Sequence, residues 1–368
     1  MAKAKKKTAS KKKATAKQKA AGKNKPEAKK KAAGKKKPEA KKKAAGKNKP
    51  EAKKKATGKN KPEAKKKPAS KNKPEAKKKP QAKSKVSKKK GKGGKKAKVT
   101  LADAADRHVL YQLSVQSPEA DIEFFAERYE ELRGREPKVL REDFCGTAYI
   151  SSTWAASGPD RRAVGVDLDG ATLQWGREHN LAPLSEDARS RIDLRQTNVL
   201  DGGGEPADMT CAMNFSYGVF KTRAELRRYL QVVYDNLADE GVFITELYGG
   251  VEAIIEVVDE RDIEDPDGNV EDFTYIWEQA AYNPITHETL CHIHFRMSDG
   301  SKIKKAFTYD WRLWSIPELR ELLYEVGFTS ARVYWEGTDD DGEGTGEYYP
   351  TEKEDNQESW LVYIVAGK

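Results

Sequence analysis

From residue 117 onward, apolar positions fall into two rhythms. Ser117-Pro118 opens a stretch in which Ile122, Phe125, Tyr129 and Leu132 recur at helical spacing until Gly134. That pattern predicts an amphipathic helix with proline at its first position and glycine just past its end. Short apolar runs then alternate with further helical stripes. Strands are predicted over 139–142, 163–167, 192–197, 209–213 and 242–247. Between them lie a helix through Ile150 and Trp154 to near Gly158, and another begun by Asp169 and running past Leu173. A third opens on the Thr222/Glu225 capping box, carries Leu226, Leu230, Val233 and Leu237 as its stripe, and is predicted to stop at Gly241. Such alternation makes a mostly parallel sheet covered by helices on both faces.

Past residue 270 the rhythm changes. Strands over 273–282, 289–297 and 302–309, with Ser298-Asp299-Gly300-Ser301 as a hairpin turn, predict an antiparallel flap over about 270–312. A capping box at Ser315/Glu318 starts a helix with Leu319, Leu322, Leu323 and Val326 inward and Gly327 as its stop. Strands over 331–335 and 360–365 then pair as a terminal antiparallel hairpin, giving seven strands in the main sheet. They flank an acidic loop, 336–358, whose Asp339-Asp340-Asp341 does not fit a calcium-binding loop and reads as solvated.

Composition splits the chain. The first hundred residues hold 44 Lys, no Arg and five Glu, a charge of +39; the rest hold 26 basic and 53 acidic residues, a charge of −27. No aromatic residue precedes Tyr111, so the first part lacks the apolar surface to offset chain entropy and is expected to be a disordered arm. The division is therefore residues 1–98, an arm, and residues 99–368, one domain with a flap insertion. The sequence KPEAKKK recurs with Pro26, Pro38, Pro50, Pro62 and Pro74 twelve apart. Each unit of about eight residues is too short to hold a helix in water.

A lysine arm without arginine or aromatics suits a phosphate backbone but neither guanine readout nor base stacking. Non-specific, salt-dependent nucleic-acid binding is the partner this implies. A solubilising tail, a generic polyanion or membrane-surface tether, and an intramolecular partner for the acidic domain are the competing readings. The arm resembles the Lys/Ala/Pro-rich tails of linker histones, which implies nucleoid or chromatin association. MAKAKKKTASKKK supplies no apolar run for a secretory signal, no stretch reaches the ~18–20 apolar residues of a membrane span, and the expected compartment is cytoplasmic. Cys145, Cys211 and Cys291 have no metal-ligand spacing and read as reduced thiols, so no metal is expected.

The element order together with VLREDFCGTA and AVGVDLD resembles class I S-adenosylmethionine-dependent methyltransferases, over roughly residues 105–368. The resemblance implies a Rossmann-like sheet and S-adenosylmethionine as cofactor. In the family the first turn reads acidic-x-Gly-x-Gly-x-Gly. Here Glu142, Phe144, Gly146 and Ala148 occupy those positions, with Cys145 and Thr147 between them. Phe144 loses a glycine's freedom, whereas Ala148 is expected to need only a small side chain where helix meets strand. Asp167 lies nineteen residues beyond Ala148, where the family's acidic residue accepts the ribose hydroxyls, and Leu168 follows it. By the same resemblance Asn198 and Val199 flank the adenine, and Asn214 and Phe215 lie beside the methionine part.

The acceptor stays open. Asn214-Phe215-Ser216-Tyr217 has the spacing, though not the prolines, of the Asn-Pro-Pro-Tyr motif of base- and amide-methylating members, or it is pocket lining. Tyr217, Glu246 and His292 are candidate catalytic groups. His292 and His294 share one strand face and could equally be ordinary sheet histidines. Tyr275, Trp277, Tyr282, Trp311 and Trp314 could wall an acceptor pocket or be core. Tyr111 and Gln116 lie where relatives carry an N-terminal lid. A small-molecule N or O acceptor is the leading expectation. Action on nucleic acid or its proteins, and a DNA-packaging protein with a non-catalytic domain, are the alternatives.

Overall fold

The computed structural model describes residues 99–338 and 344–368. The arm, residues 1–98, and Asp339-Asp340-Asp341 lie outside the described residues, with the expectations placed on them. Two short helices come first, α1 (Leu101–Ala104), capped by Thr100, and α2 (Arg107–Val115), capped by Asp106. Tyr111 therefore sits within a helix, and Gln116 at its C-terminal cap, rather than in a lead-in segment. The chain continues through α3 (Pro118–Arg133), β1 (Val139–Asp143), α4 (Tyr149–Ala156), β2 (Arg162–Asp167) and α5 (Gly170–Gly176). A π-helical turn, Arg177–Leu181, prolongs α5 before α6 (Glu186–Ser190), β3 (Ile192–Gln196) and β4 (Ala207–Ala212). Next come α7 (Arg223–Asn236), β5 (Leu237–Gly249), β6 (Val257–Ile263), β7 (Phe273–Asn283), β8 (Glu288–Met297) and β9 (Lys302–Arg312). The chain ends with α8 (Ile316–Val326), β10 (Ser330–Thr338), β11 (Gly344–Thr351) and β12 (Trp360–Gly367).

The main sheet runs β11-β10-β12-β5-β4-β1-β2-β3. β5, β4, β1, β2 and β3 are parallel neighbours, and β12 lies antiparallel to both β5 and β10. Aliphatic residues of α7 and α8 pack on one face (Leu226, Leu230, Leu319, Leu322), and Phe125, Tyr129, Ile150 and Trp154 of α3 and α4 on the other. The Rossmann-like architecture with a terminal antiparallel hairpin and an antiparallel flap is borne out.

Three details differ from expectation. The main sheet gains an eighth strand because part of the acidic loop, β11, pairs with the edge of β10. Its alternating exposure buries too little apolar surface to announce a strand. The flap has four strands in the order β6-β7-β8-β9 and begins at Val257, not near 270. β6, VVDERDI, is mostly charged, so its period of two was masked. The helix opened by Thr222 stops at Asn236 rather than Gly241, because Leu237 is already extended and paired with Ala207.

One buried ion pair stands under the first turn. Arg141 Nε donates to Asp143 Oδ1 at 2.8 Å, with the side chains 5% and 1% exposed. Arg141 also donates to the Gly203 carbonyl, and Tyr229 Oη donates to Asp143 Oδ2. Burial pushes the Asp143 carboxyl above its usual range, against the pull of Arg141 and Tyr229. Asp143→Ala leaves a buried guanidinium without its counter-charge and should lower unfolding free energy by about 3–5 kcal/mol in a urea titration. Glu205→Ala, which breaks the half-exposed Arg162–Glu205 pair, should cost under about 1 kcal/mol.

Candidate functional site

The C-terminal ends of β1, β2, β3 and β4 converge on one edge of the sheet, and β1 lies between β2 and β4. A parallel sheet whose strand order reverses there opens a crevice for a ligand. Residues 144–148 turn along its floor. Phe144, Gly146 and Ala148 all take left-handed backbone, with φ of 57°, 53° and 56°. The turn therefore keeps a three-glycine conformation with only one glycine in it. Asn214 and Phe215 are left-handed as well, at 55° and 56°. Four strained residues thus sit at the ends of the neighbouring strands β1 and β4, each costing on the order of 1–3 kcal/mol. The expectation for Ala148 is corrected: its glycine was called for by the positive φ of a helix cap, not merely by size.

Local contacts fix this turn. Gly146 N donates to Asp167 Oδ2 at 2.8 Å, and Cys145 N donates to the Val166 carbonyl at 3.0 Å. Asp167 Oδ1 accepts from Asp169 N at 2.8 Å. Thr147 Oγ accepts from Gln112 Nε2 of α2, and the Thr147 carbonyl accepts from Asn180. A Cβ at Gly176 would lie 2.3 Å from the Thr147 carbonyl oxygen, so α5 can press on the turn only with glycine there. Cys145 points away from the crevice, packed with Ala148, Leu173 and Leu181, and burial pushes its thiol well up.

Glu142 stands just below. Its carboxyl accepts from Ser151 N and Ser151 Oγ at 2.8 and 2.5 Å, capping α4 from inside the sheet. Burial raises its pKa to about 8, against the lowering effect of those two bonds. Phe144 packs edgewise against Phe220 and tilts onto Tyr229. Leu168, next to Asp167, leaves 65% of an apolar side chain exposed. Asn198 Oδ1 accepts from Leu200 N, and Val199 is buried in the core below.

Of the three candidate catalytic groups, Tyr217 and Glu246 are neighbours and His292 lies apart. Tyr217 is buried and donates to the Glu246 carbonyl at 3.1 Å, and burial raises its pKa well above the usual tyrosine range. Glu246 is buried with Oε1 accepting from Asn214 N at 2.5 Å, so it shapes the left-handed pair Asn214-Phe215. His292 bonds Thr308 Oγ1 at 3.0 Å, and His294 bonds Glu278 at 2.8 Å. Strand alternation puts both histidines on the opposite flap face from Ile293 and Phe295, which pack toward α2. That geometry takes His292 out of the crevice. Trp314 is core, donating to the Phe220 carbonyl, whereas Trp277 and Trp311 lie on the inner flap face.

The segment expected to hold an N-terminal lid at Tyr111 and Gln116 is α2, and most of its contacts come from residues not singled out in the sequence. α2 reaches the turn through Gln112, the flap through Tyr111 against Phe307 at 4.8 Å, and α5 through Asp106, which accepts from Trp175 Nε1 at 2.6 Å. His108 leans on Trp175, which stacks on His179 at 4.1 Å. No motif spacing marks these residues.

Solved structures share this architecture at low sequence identity. The amino pentose methyltransferase CalS10 from Micromonospora echinaspora is 16% identical over 71% of this chain and 95% of its own, with a TM-score of 0.51. DesVI from Streptomyces venezuelae is 16% identical over 70% and 95%, at 0.52. An S-adenosylmethionine-dependent methyltransferase from Clostridium acetobutylicum is 14% identical over 71% and 96%, at 0.50. The fold is the Rossmann-like methyltransferase fold. No protein-family model and no curated protein matches the sequence. In this fold the turn after β1 and the carboxylate ending β2 face the same crevice, and no helix among the described residues is long and apolar enough to cross a membrane.

Glu142 makes the site's stability depend on pH. Its carboxyl rises from 4.5 when unfolded to about 8 when folded, so the native state holds the proton longer. The resulting stability is full below about pH 4.5 and is lost as pH rises through about 8. The unfolding free energy should fall by about 2–4 kcal/mol between pH 6 and pH 9. Chemical denaturation of Glu142→Gln should show that fall largely removed.

Proposed function

We propose that the folded part is an S-adenosylmethionine-dependent methyltransferase acting on a small-molecule acceptor. The observation that carries this reading is the Gly146 N to Asp167 Oδ2 hydrogen bond inside a turn held left-handed at three alternate positions. It leaves an open concavity over Gly146, where an added Cβ would meet nothing closer than Thr172 Cγ2 at 3.9 Å. The residues present fit an adenosyl cofactor. Asp167 retains acceptor capacity for ribose hydroxyls beyond its two backbone bonds. Exposed Leu168 suits an adenine face, and Asn198 stands at the end of β3. The α4 N-terminus has no side-chain cap at Ala148, which leaves amide donors for a carboxylate.

S-adenosylmethionine, when bound, supplies an electrophilic methyl group on a sulfonium. The chain's own part is placement. An in-line displacement gains most from holding the nucleophile on the methyl axis, and water must be kept out. Phe215 and the inner flap face close the acceptor side, and α2 closes the cofactor side through Gln112. Calling the acceptor small is supported by the flap and lid, which roof the crevice, and by the folded part's −27 charge, which disfavours a phosphate polymer.

The arm's +39 charge supports a separate, sequence-blind interaction with nucleic acid, which tethers the enzyme and does not deliver its substrate. Titration calorimetry should register S-adenosylhomocysteine binding to the wild-type chain, and Asp167→Ala should weaken it at least about tenfold through lost ribose bonds. Fluorescence anisotropy with a random duplex should show binding that collapses as salt rises and vanishes on deletion of residues 1–98. Absence of cofactor heat sinks the enzymatic reading; unchanged duplex binding after deletion sinks the tether.

A further inference from the structure

The flap's inner face carries more chemistry than a cover needs. Its register sets Asp259, Trp277, Ile293 and Phe307 abreast in one row, and Val257, Gln279, Cys291 and Tyr309 in the next. Tyr309 stacks on Trp311 at 4.3 Å, and Trp277 lies 6.1 and 6.4 Å from those two rings. Phe215, at the end of β4, continues the series, 6.2 Å from Trp311 and 4.6 Å from Tyr248. Five aromatic rings therefore run from the methionine end of the crevice into the flap. The Tyr248 hydroxyl is buried here without a hydrogen-bond partner among the described residues, a costly state for a polar group unless a ligand answers it.

Carboxylates stand along the same surface. Asp259 is directly opposite Trp277. Glu252 follows β5 on a turn whose carbonyl accepts from Gln279 of the inner face. Burial raises the Asp259 carboxyl, and burial together with Asp259 and Glu358 raises that of Glu252. Among the described residues, the cations here are engaged elsewhere: Arg261 donates to the Ser114 carbonyl at the end of α2 and lies over Tyr275, and Arg312, which borders Phe215, Tyr248 and Trp311, pairs with Glu318. Among the described residues no salt bridge joins Asp259 or Glu252 to a cation, and a negative edge beside electron-rich ring faces is the environment that holds an ammonium group. A neutral alcohol would fill the aromatic slot and leave the carboxylates unanswered, and an anion would meet like charge.

Resting on the methyltransferase reading, we propose that this cleft is the acceptor subsite and that it takes an amine as its cation. The charge lies against Trp277 and Tyr309 with Asp259 and Glu252 as counter-charges, and Tyr248 Oη meets a polar substituent of the same molecule. The full-length chain can be titrated at pH 7 with cyclohexylamine, cyclohexanol and cyclohexanecarboxylate, followed by tryptophan fluorescence and calorimetry. Cyclohexylammonium should bind at least about tenfold more tightly than cyclohexanol. Asp259→Asn should bring the two to parity, with Glu252→Gln as a second variant should the first fail to fold. Equal binding of the three probes by the wild type, preference for the carboxylate, or a preference unmoved by both variants overturns the proposal. Titration with S-adenosylhomocysteine keeps the two failures apart. A chain that binds it without discriminating among the probes loses only the amine cleft. A chain that prefers the ammonium probe yet binds no S-adenosylhomocysteine loses the assignment of that cleft to an acceptor.

Discussion

A single backbone amide organises the site. Gly146 N gives its hydrogen bond to Asp167, which locks the turn after β1 to the end of β2 and fixes the carboxylate's orientation in the same step. Such a bond forms only if the amide faces across the strands, which demands left-handed backbone on both sides of it. Phe144 and Ala148 accept that conformation without being glycine. The strain is tolerated because both are over-determined. Ala148 is fully buried beneath α5, and Phe144 packs against the stacked pair Phe220 and Tyr229. Packing replaces the conformational freedom that glycine would have supplied.

The support continues downward into the sheet. Glu142 and Asp143, successive residues of β1, point to opposite faces, and each carries a different duty. Glu142 caps α4 through Ser151, while Asp143 is bound to Arg141 and Tyr229, the tyrosine that also touches Phe144. Two acidic side chains at the buried end of β1 would be a heavy cost for folding alone. Each instead holds one side of the turn, so desolvation is exchanged for a rigid floor to the crevice.

Much of this fold was legible because its signals are local. Capping boxes at Thr222 and Ser315 appear in the structure with both reciprocal bonds, and alternating apolar runs located the five parallel strands. What escaped notice depended on partners distant in sequence. β6 is a strand because β7 pairs with it, and β11 because β10 offers an open edge. Leu237 left its helix for Ala207. At the site, spacing singled out the glycine turn and Asp167. It also proposed Tyr217, Glu246 and His292, since position at a strand end does not reveal which way a side chain turns or what it already bonds. Gln112 and Asp259 carry no motif; only the closure of α2 and the flap gives them a place.

The division of charge follows from the same geometry. On the proposed reading, a crevice edged by Asp167, Asp259 and Glu252 disfavours polyphosphate, so the +39 of the first hundred residues is better matched to tethering than to feeding a nucleic acid into it. The two parts make sense as opposites. On the proposed tether, lysines would act through counterion release at a surface, a long-range and salt-sensitive effect. Desolvated carboxylates and aromatic faces act at contact distance, where salt screens far less. The two proposals are therefore compatible: a tether on a polyanion and a crevice that selects cations would not compete for the same charges.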